Sequence, residues 1–276
     1  MPVTKQQFAP VKIYTGETIT VREIRVRCSE LKNVVGPAYK RFLNPLTDEE
    51  QEKYDKWKEA GKTELVTFIK LQEKLDKGKD LSVSSTVVNT FYNKYILGID
   101  SFFGNQATQR GTNQEQDSID LLNSVYNCKY TKHEGRETNE YITGEPDIKT
   151  VKAIGDIKTR ATWDTFEKRT SQDDIDDHMW QLWGYGQLFG KKQGVIINTL
   201  PSYDPKWIET QLNYLTNPSA VSQTRRFYNF DRIDPASRVK MTYINLDIVD
   251  AKLVYKILDK FYAQLNDMIQ YKPKIV

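Results

Sequence analysis

The run Ala153-Ile154-Gly155-Asp156-Ile157-Lys158-Thr159 constrains this chain more than any other stretch. Its pattern is extended, and side chains on a strand alternate between faces. Asp156 and Lys158 therefore point the same way, about 6.5–7 Å apart along the chain, while Ile157 points to the opposite face and into a core. A carboxylate and an ammonium share one face without a loop to hold them. The Ile157 carbonyl lies between them, where it can also face a cation.

Nine residues earlier stands Pro146-Asp147. The proline favours an extended, rigid approach to a strand, and nine residues suffice for a tight turn between neighbouring strands. Two carboxylates about 4 Å apart repel by roughly 4 kcal/mol at an effective dielectric near 20. A Mg²⁺ or Mn²⁺ ion between them removes that penalty, because hard divalent cations take oxygen ligands. Glu115, just inside a helix start, is a candidate third carboxylate for the same ion. Gln181 and Tyr185 are four apart on a later helix and share a face, which His178 joins three residues before Gln181. Gln can bond a phosphate or a base, and Tyr can bond a phosphate or stack.

Around these residues the periodicity predicts an order of elements. Thr47 to Glu50 reads as a capping box, opening a charged helix to about Ala60. A second helix follows over Glu64–Asp76 and a third over Ser85–Ile96. A helix over Asn113–Tyr126 places Ile119, Leu122 and Val125 at helical spacing. Lys129–Lys132 and Thr138–Thr143 read as strands of a hairpin about Gly135, and the extended pattern continues through residues 146–149 and 152–159. A helix over Asp173–Phe189 ends near Gly190. The apolar run Gly194–Leu200 suits a buried central strand. Two helices broken around Pro218, a strand over Met241–Ile244 and a long helix over Leu246–Tyr271 complete the chain. Such an order predicts an α/β or α+β core, a mixed sheet flanked by helices.

Bulk properties exclude several classes. Lys plus Arg number 40 and Asp plus Glu 37, a net charge of +3, so any basic surface must be local. The two cysteines, Cys28 and Cys128, make neither a zinc site nor a disulfide framework. With no apolar N-terminal run and no stretch near the roughly 18 apolar residues of a membrane span, the expected setting is a reducing cytoplasm, with no membrane partner. Lys149, Lys152, Arg160, Lys168 and Arg169 interleave with Trp163 and Phe166. That mixture suits a nucleic-acid groove, or ordinary surface charge over buried aromatics. Arg225 and Arg226 are a second candidate for phosphate contact.

Taken singly, each motif has a plain structural explanation: a surface ion pair for Asp-x-Lys, a turn for Pro-Asp, a favourable N-terminal charge for Glu115. Their order and their strand–strand–helix placement argue otherwise. Arg110-Gly111-Thr112-Asn113-Gln114-Glu115, Gly144-Glu145-Pro146-Asp147, Asp156-Ile157-Lys158-Thr159 and Gln181 to Tyr185 together resemble the PD-(D/E)XK nuclease superfamily. The closer likeness is to RecB-type nuclease domains and lambda-exonuclease-like phage recombination exonucleases, over roughly residues 84–245.

The resemblance implies a restriction-endonuclease-like core over residues 81–276, with a long C-terminal helix. Residues 1–80 form a helical N-terminal extension with charged helices. It implies a Mg²⁺-dependent deoxyribonuclease, Mn²⁺ substituting, acting as an exonuclease on linear double-stranded DNA in phage recombination or repair. Glu115, Asp147, Asp156 and Lys158 are then catalytic. Glu115, Asp147, Asp156 and the Ile157 carbonyl are metal ligands, and Thr159, Arg160, His178, Gln181 and Tyr185 contact DNA. A single-strand annealing protein is an implied partner and a ring-shaped homo-oligomer an implied assembly. The chain lacks the four cysteines of iron–sulfur relatives and any Gly-x-x-x-x-Gly-Lys-Ser/Thr phosphate loop, so strand separation, if needed, must come from a partner. An endonuclease on the same fold, or a non-catalytic DNA-binding module, are the competing readings.

Overall fold

The structure is a computed structural model that describes residues 8–100 and 106–272. Residues 1–7, 101–105 and 273–276 of the two expected domains lie outside the described residues. The chain divides into two compact units, and the division falls elsewhere than residue 80. One unit comprises Met1–Ser101, Thr138–Ile142 and Val249–Val276, the other Phe102–Glu137 and Thr143–Ile248. The terminal helix thus groups with the N-terminal segment.

In the first unit the organising element is the helix Ala251–Tyr271. Its stripe Val254, Ile257, Leu258, Phe261 and Leu265 is fully buried, each such side chain contributing roughly 1.5–3 kcal/mol of transfer free energy. It packs against the helices Gly36–Leu43 and Ser85–Phe91. The helix starts later than Leu246, because the Asp250 side chain accepts the N–H groups of Lys252 and Leu253 and so fixes the N-terminus there. The expected capping box forms: Thr47 and Glu50 bond reciprocally ahead of Asp48–Glu59. That helix and Val66–Gly78 enclose a small core in which Tyr54 stacks on Phe68 at 4.8 Å.

The second unit is built on a four-stranded sheet in the order Ile148–Lys149, Ala153–Thr159, Gln193–Thr199, Val239–Asn245. The outer pairings are antiparallel and the central one parallel. Parallel neighbours need a crossover, and the helix Ser171–Phe189 supplies it. Thr170 and Asp173 form its capping box, and Gly190, at φ 63°, ends it in the left-handed region that glycine adopts without strain. Leu182 of this helix lies over Gly194 of the sheet, where an added Cβ would come within 3.0 Å of it. The helix Glu115–Tyr126 packs on the other face, where Ile119, Leu121 and Leu122 join Ile148, Ile157, Val195, Ile197 and Val239. Ile157 is thus in the core, as strand alternation requires.

The hairpin about Gly135 does not form. Residues 129–136 have no regular structure, and the short strands Glu137–Thr138 and Ile142–Gly144 pair instead. The reversal lies at Asn139, whose side-chain oxygen accepts the N–H groups of Tyr141 and Ile142, an Asx turn that competes with the glycine signal. A short helix, Trp163–Glu167, was not expected from the sequence. Among the described residues no helix is long and apolar enough to cross a membrane.

Candidate active site

Strand pairing brings the two aspartates together. Thr150 closes a tight turn, its hydroxyl accepting the Ala153 N–H at 2.8 Å. Ile148 pairs with Gly155 in antiparallel register, so one step further out Asp147 lies across from Asp156. The Ile157 N–H donates to Asp147 Oδ2 at 2.6 Å. Burial first, and then the Asp156 carboxylate, push the Asp147 pKa up to about 7; the Ile157 N–H works in the opposite direction.

Asp156, 3% exposed, is held from two sides. Lys158 Nζ stands 2.7 Å from Oδ2 and Gln181 Nε2 donates to Oδ1 at 2.8 Å. The ion pair is close but not aligned as a hydrogen bond, and Oδ2 has no hydrogen-bond partner. Gln181 Oε1 lies 3.4 Å from Lys158 Nζ, and Nε2 is 2.9 Å from the Tyr185 hydroxyl. A side-chain amide alone offers an acceptor to the lysine and donors to the carboxylate. The Gln-x-x-x-Tyr pair therefore braces the Asp-x-Lys pair from the crossover helix, with Tyr185 itself buried.

Glu115 is the first residue of its helix. Its Oε2 accepts from Lys132 Nζ at 2.6 Å, and its Oε1 is buried without a hydrogen-bond partner. Thr159 hydrogen-bonds Ser118 at 2.8 Å, tying that helix to the strand. A cleft of about 540 Å³ is lined by Gly111, Thr112, Glu115, Asp147, Asp156, Ile157, Lys158, Thr159, Arg160, Gln181 and Tyr185. All of the expected site residues are gathered there except His178. That side chain is half-buried, its Nε2 has no hydrogen-bond partner, and burial and then Lys158 lower its pKa to about 4. Burial thus favours the neutral imidazole in this environment.

The donor chemistry fits a hard divalent cation. Every candidate ligand is an oxygen, Glu115 Oε1 and Asp156 Oδ2 lack hydrogen bonds, and burial and then the Asp156 charge raise the Asp147 pKa, a penalty that a cation would relieve. Among the described residues no three His, Cys, Asp or Glu side chains converge on one point. Asp147 and Asp156 face each other across the strand pair, and Glu115 is drawn onto Lys132.

The interleaved basic and aromatic residues do not form one groove. Phe166 is buried with Leu200 and Phe230, and Trp163 packs against them. Arg169 bonds Asp174 and Asp177, and Lys149 lies over the Phe189 ring. Of that basic set only Arg160 lines the cleft. Arg225 pairs with Glu209.

Three participants escaped the sequence reading. Lys132 has no sequence signal, since it acts from an irregular segment. Asn198 is a polar residue in an otherwise apolar strand, and it is 1% exposed. Asp174 falls on the helical face of Gln181 and Tyr185 through the spacing 174, 178, 181, 185, a periodicity that would have singled it out from its acidic neighbours.

The phage-related exonuclease from Haemophilus somnus 129PT superposes on this chain with a TM-score of 0.57 at 20% sequence identity, covering 91% of this chain and 98% of its own. The alkaline exonuclease LHK-Exo from Laribacter hongkongensis matches with a TM-score of 0.46 at 14% identity, covering 90% of each chain. No protein-family model and no curated protein matches the sequence. The chain shares the fold of the Haemophilus structure, a mixed sheet flanked by helices.

Proposed function

We propose that the chain is a Mg²⁺-dependent deoxyribonuclease, an exonuclease that hydrolyses phosphodiester bonds of linear double-stranded DNA. The observation that carries this is the facing pair Asp147 and Asp156, with Lys158 Nζ 2.7 Å from Asp156 in one open cleft. Asp147, Asp156 and the Ile157 carbonyl would hold a divalent cation, with Glu115 as a further carboxylate in the same cleft. When bound, such an ion supplies charge stabilisation to the scissile phosphate and a more acidic water. Lys158, kept in place by Asp156 and Gln181, orients the attacking water and offsets the charge that grows on the phosphate oxygens. Asp156 fixes the lysine, Gln181 fixes both, and Tyr185 anchors Gln181. Arg160 offers a guanidinium to a neighbouring phosphate.

The choice of exonuclease draws on the protein of like fold, described as a phage-related exonuclease. Cleavage of an end-labelled linear duplex beside a closed circle of the same sequence, with Mg²⁺ and with chelator, tests it. Loss of the linear DNA alone, and only with Mg²⁺, is the expected result. Cutting of the circle as well would make the protein an endonuclease at the same site. No cutting under Mg²⁺ or Mn²⁺ would overturn the assignment.

A further inference from the structure

We propose that Asp174 and Asn198 form a buried bracket that holds Arg160 as a phosphate clamp in the cleft. The inference rests on the nuclease reading and assigns two positioning residues that it does not otherwise use. Asp174 is 1% exposed. Its Oδ2 accepts from Asn198 Nδ2 at 2.6 Å and from the Thr242 hydroxyl at 2.7 Å. Because the Asn198 amide nitrogen donates to a carboxylate, its oxygen is fixed as the acceptor for its other neighbour. That neighbour is Arg160, whose Nε donates to Asn198 Oδ1 at 2.7 Å and whose Nη2 donates to the same oxygen.

Distances show where the charge goes. Arg169 Nε takes Asp174 Oδ1 at 2.7 Å, whereas Arg160 Nη2 stands off at 3.5 Å. Arg169 thus makes the closer ion pair with the buried carboxylate, Arg160 the longer one, and the close hydrogen bonds of Arg160 go to a neutral amide. The Asn198 amide orients the side chain, and the guanidinium keeps donors that these contacts do not use. Arg160 lines the cleft with about a fifth of its side chain exposed, and its backbone N–H is anchored to Thr199 O at 2.8 Å. A pre-oriented guanidinium beside a hydrolytic cleft matches a nucleic-acid phosphate in charge and in hydrogen-bond geometry.

The test is binding of a linear duplex across a salt series, with Ca²⁺ in place of Mg²⁺, for the wild type, Arg160→Ala, Asp174→Asn and Asn198→Ala. Losing one phosphate contact makes the slope of log affinity against log salt shallower by about 0.9. The expected result is that shift in Arg160→Ala, reproduced in Asp174→Asn and Asn198→Ala, with no further change when either is combined with Arg160→Ala. A wild-type slope in both bracket variants, accompanied only by lower thermal stability, would overturn the proposal and leave the network structural. If Asp174→Asn fails to fold, Asn198→Ala alone decides. A wild-type protein that neither binds nor cleaves DNA removes the nuclease reading itself. An active wild type with unchanged slopes in the variants removes only the bracket.

Discussion

Lys158 and Gln181 both hold Asp156, by different means. The lysine offsets its charge, and the amide fixes the orientation of both partners. Breaking a buried pair by removing one partner typically costs about 3–5 kcal/mol, because a charge is left uncompensated. Asp156 is 3% exposed, so the loss of Lys158 falls on a carboxylate with little water to screen it. His178, nearby, is the site's other unusual titrating group. Its folded pKa, about 4, lies below the ordinary 6.5. Between those values the unfolded chain binds a proton that the folded chain does not, so this group's contribution to stability falls as pH drops from about 6.5 toward 4. In an NMR pH titration, one of the two histidines, assigned by its absence in His178→Gln, is expected to have a midpoint near 4. A midpoint near 6.5 would mean that the imidazole is solvated and free to contact phosphate.

The crossover helix Ser171–Phe189 does most to assemble the site, since it delivers both Gln181 and the buried Asp174. Its ends were legible in the sequence: Thr170 and Asp173 make a capping box, and Gly190 a left-handed stop. Its close approach to the following segment depends on Gly186. A Cβ there would sit 2.6 Å from Lys191 O, a backbone atom, and 2.6 Å from Leu246 Cδ1. Gly186→Ala is therefore expected to destabilise the fold by about 1–3 kcal/mol through overpacking, read by urea unfolding. An unchanged midpoint would show that the helix can shift at no cost. The Asp-x-Lys strand, the apolar central strand and both helices around Pro218 were equally readable from local pattern. The Gly135 hairpin was not, because the Asn139 side chain satisfied the turn's backbone at another place. Nor was the start of the last helix, where Asp250 displaces Leu246 as the boundary.

At the scale of the molecule, a net charge of +3 gives little general attraction for DNA. On the proposed function, DNA recognition rests on a few oriented groups. The order of motifs was enough to place Glu115, Asp147, Asp156, Lys158, Gln181 and Tyr185 around one cleft, because strand register and helical spacing are local properties. What it did not reveal is what each group does once packed. Gln181 and Tyr185 brace the Asp156–Lys158 pair, Thr159 ties a helix to the sheet, and Trp163 and Phe166 belong to a core. Those outcomes depend on partners such as Asn198 and Ser118, which are distant in sequence. The grouping of the terminal helix with the N-terminal segment was hidden for the same reason: an amphipathic stripe announces that it will be buried, not against which segment.

On the proposed function, this cleft cuts DNA through the paired aspartates and Lys158. Single-turnover cleavage of a linear duplex with Mg²⁺, by the wild type and by Lys158→Ala with circular dichroism as a folding check, tests it most directly. The account predicts Mg²⁺-dependent cleavage by the wild type and a loss of about 10³-fold in the folded variant, the scale of removing one charge-stabilising group from a reacting centre. Cleavage by folded Lys158→Ala at the wild-type rate would contradict it.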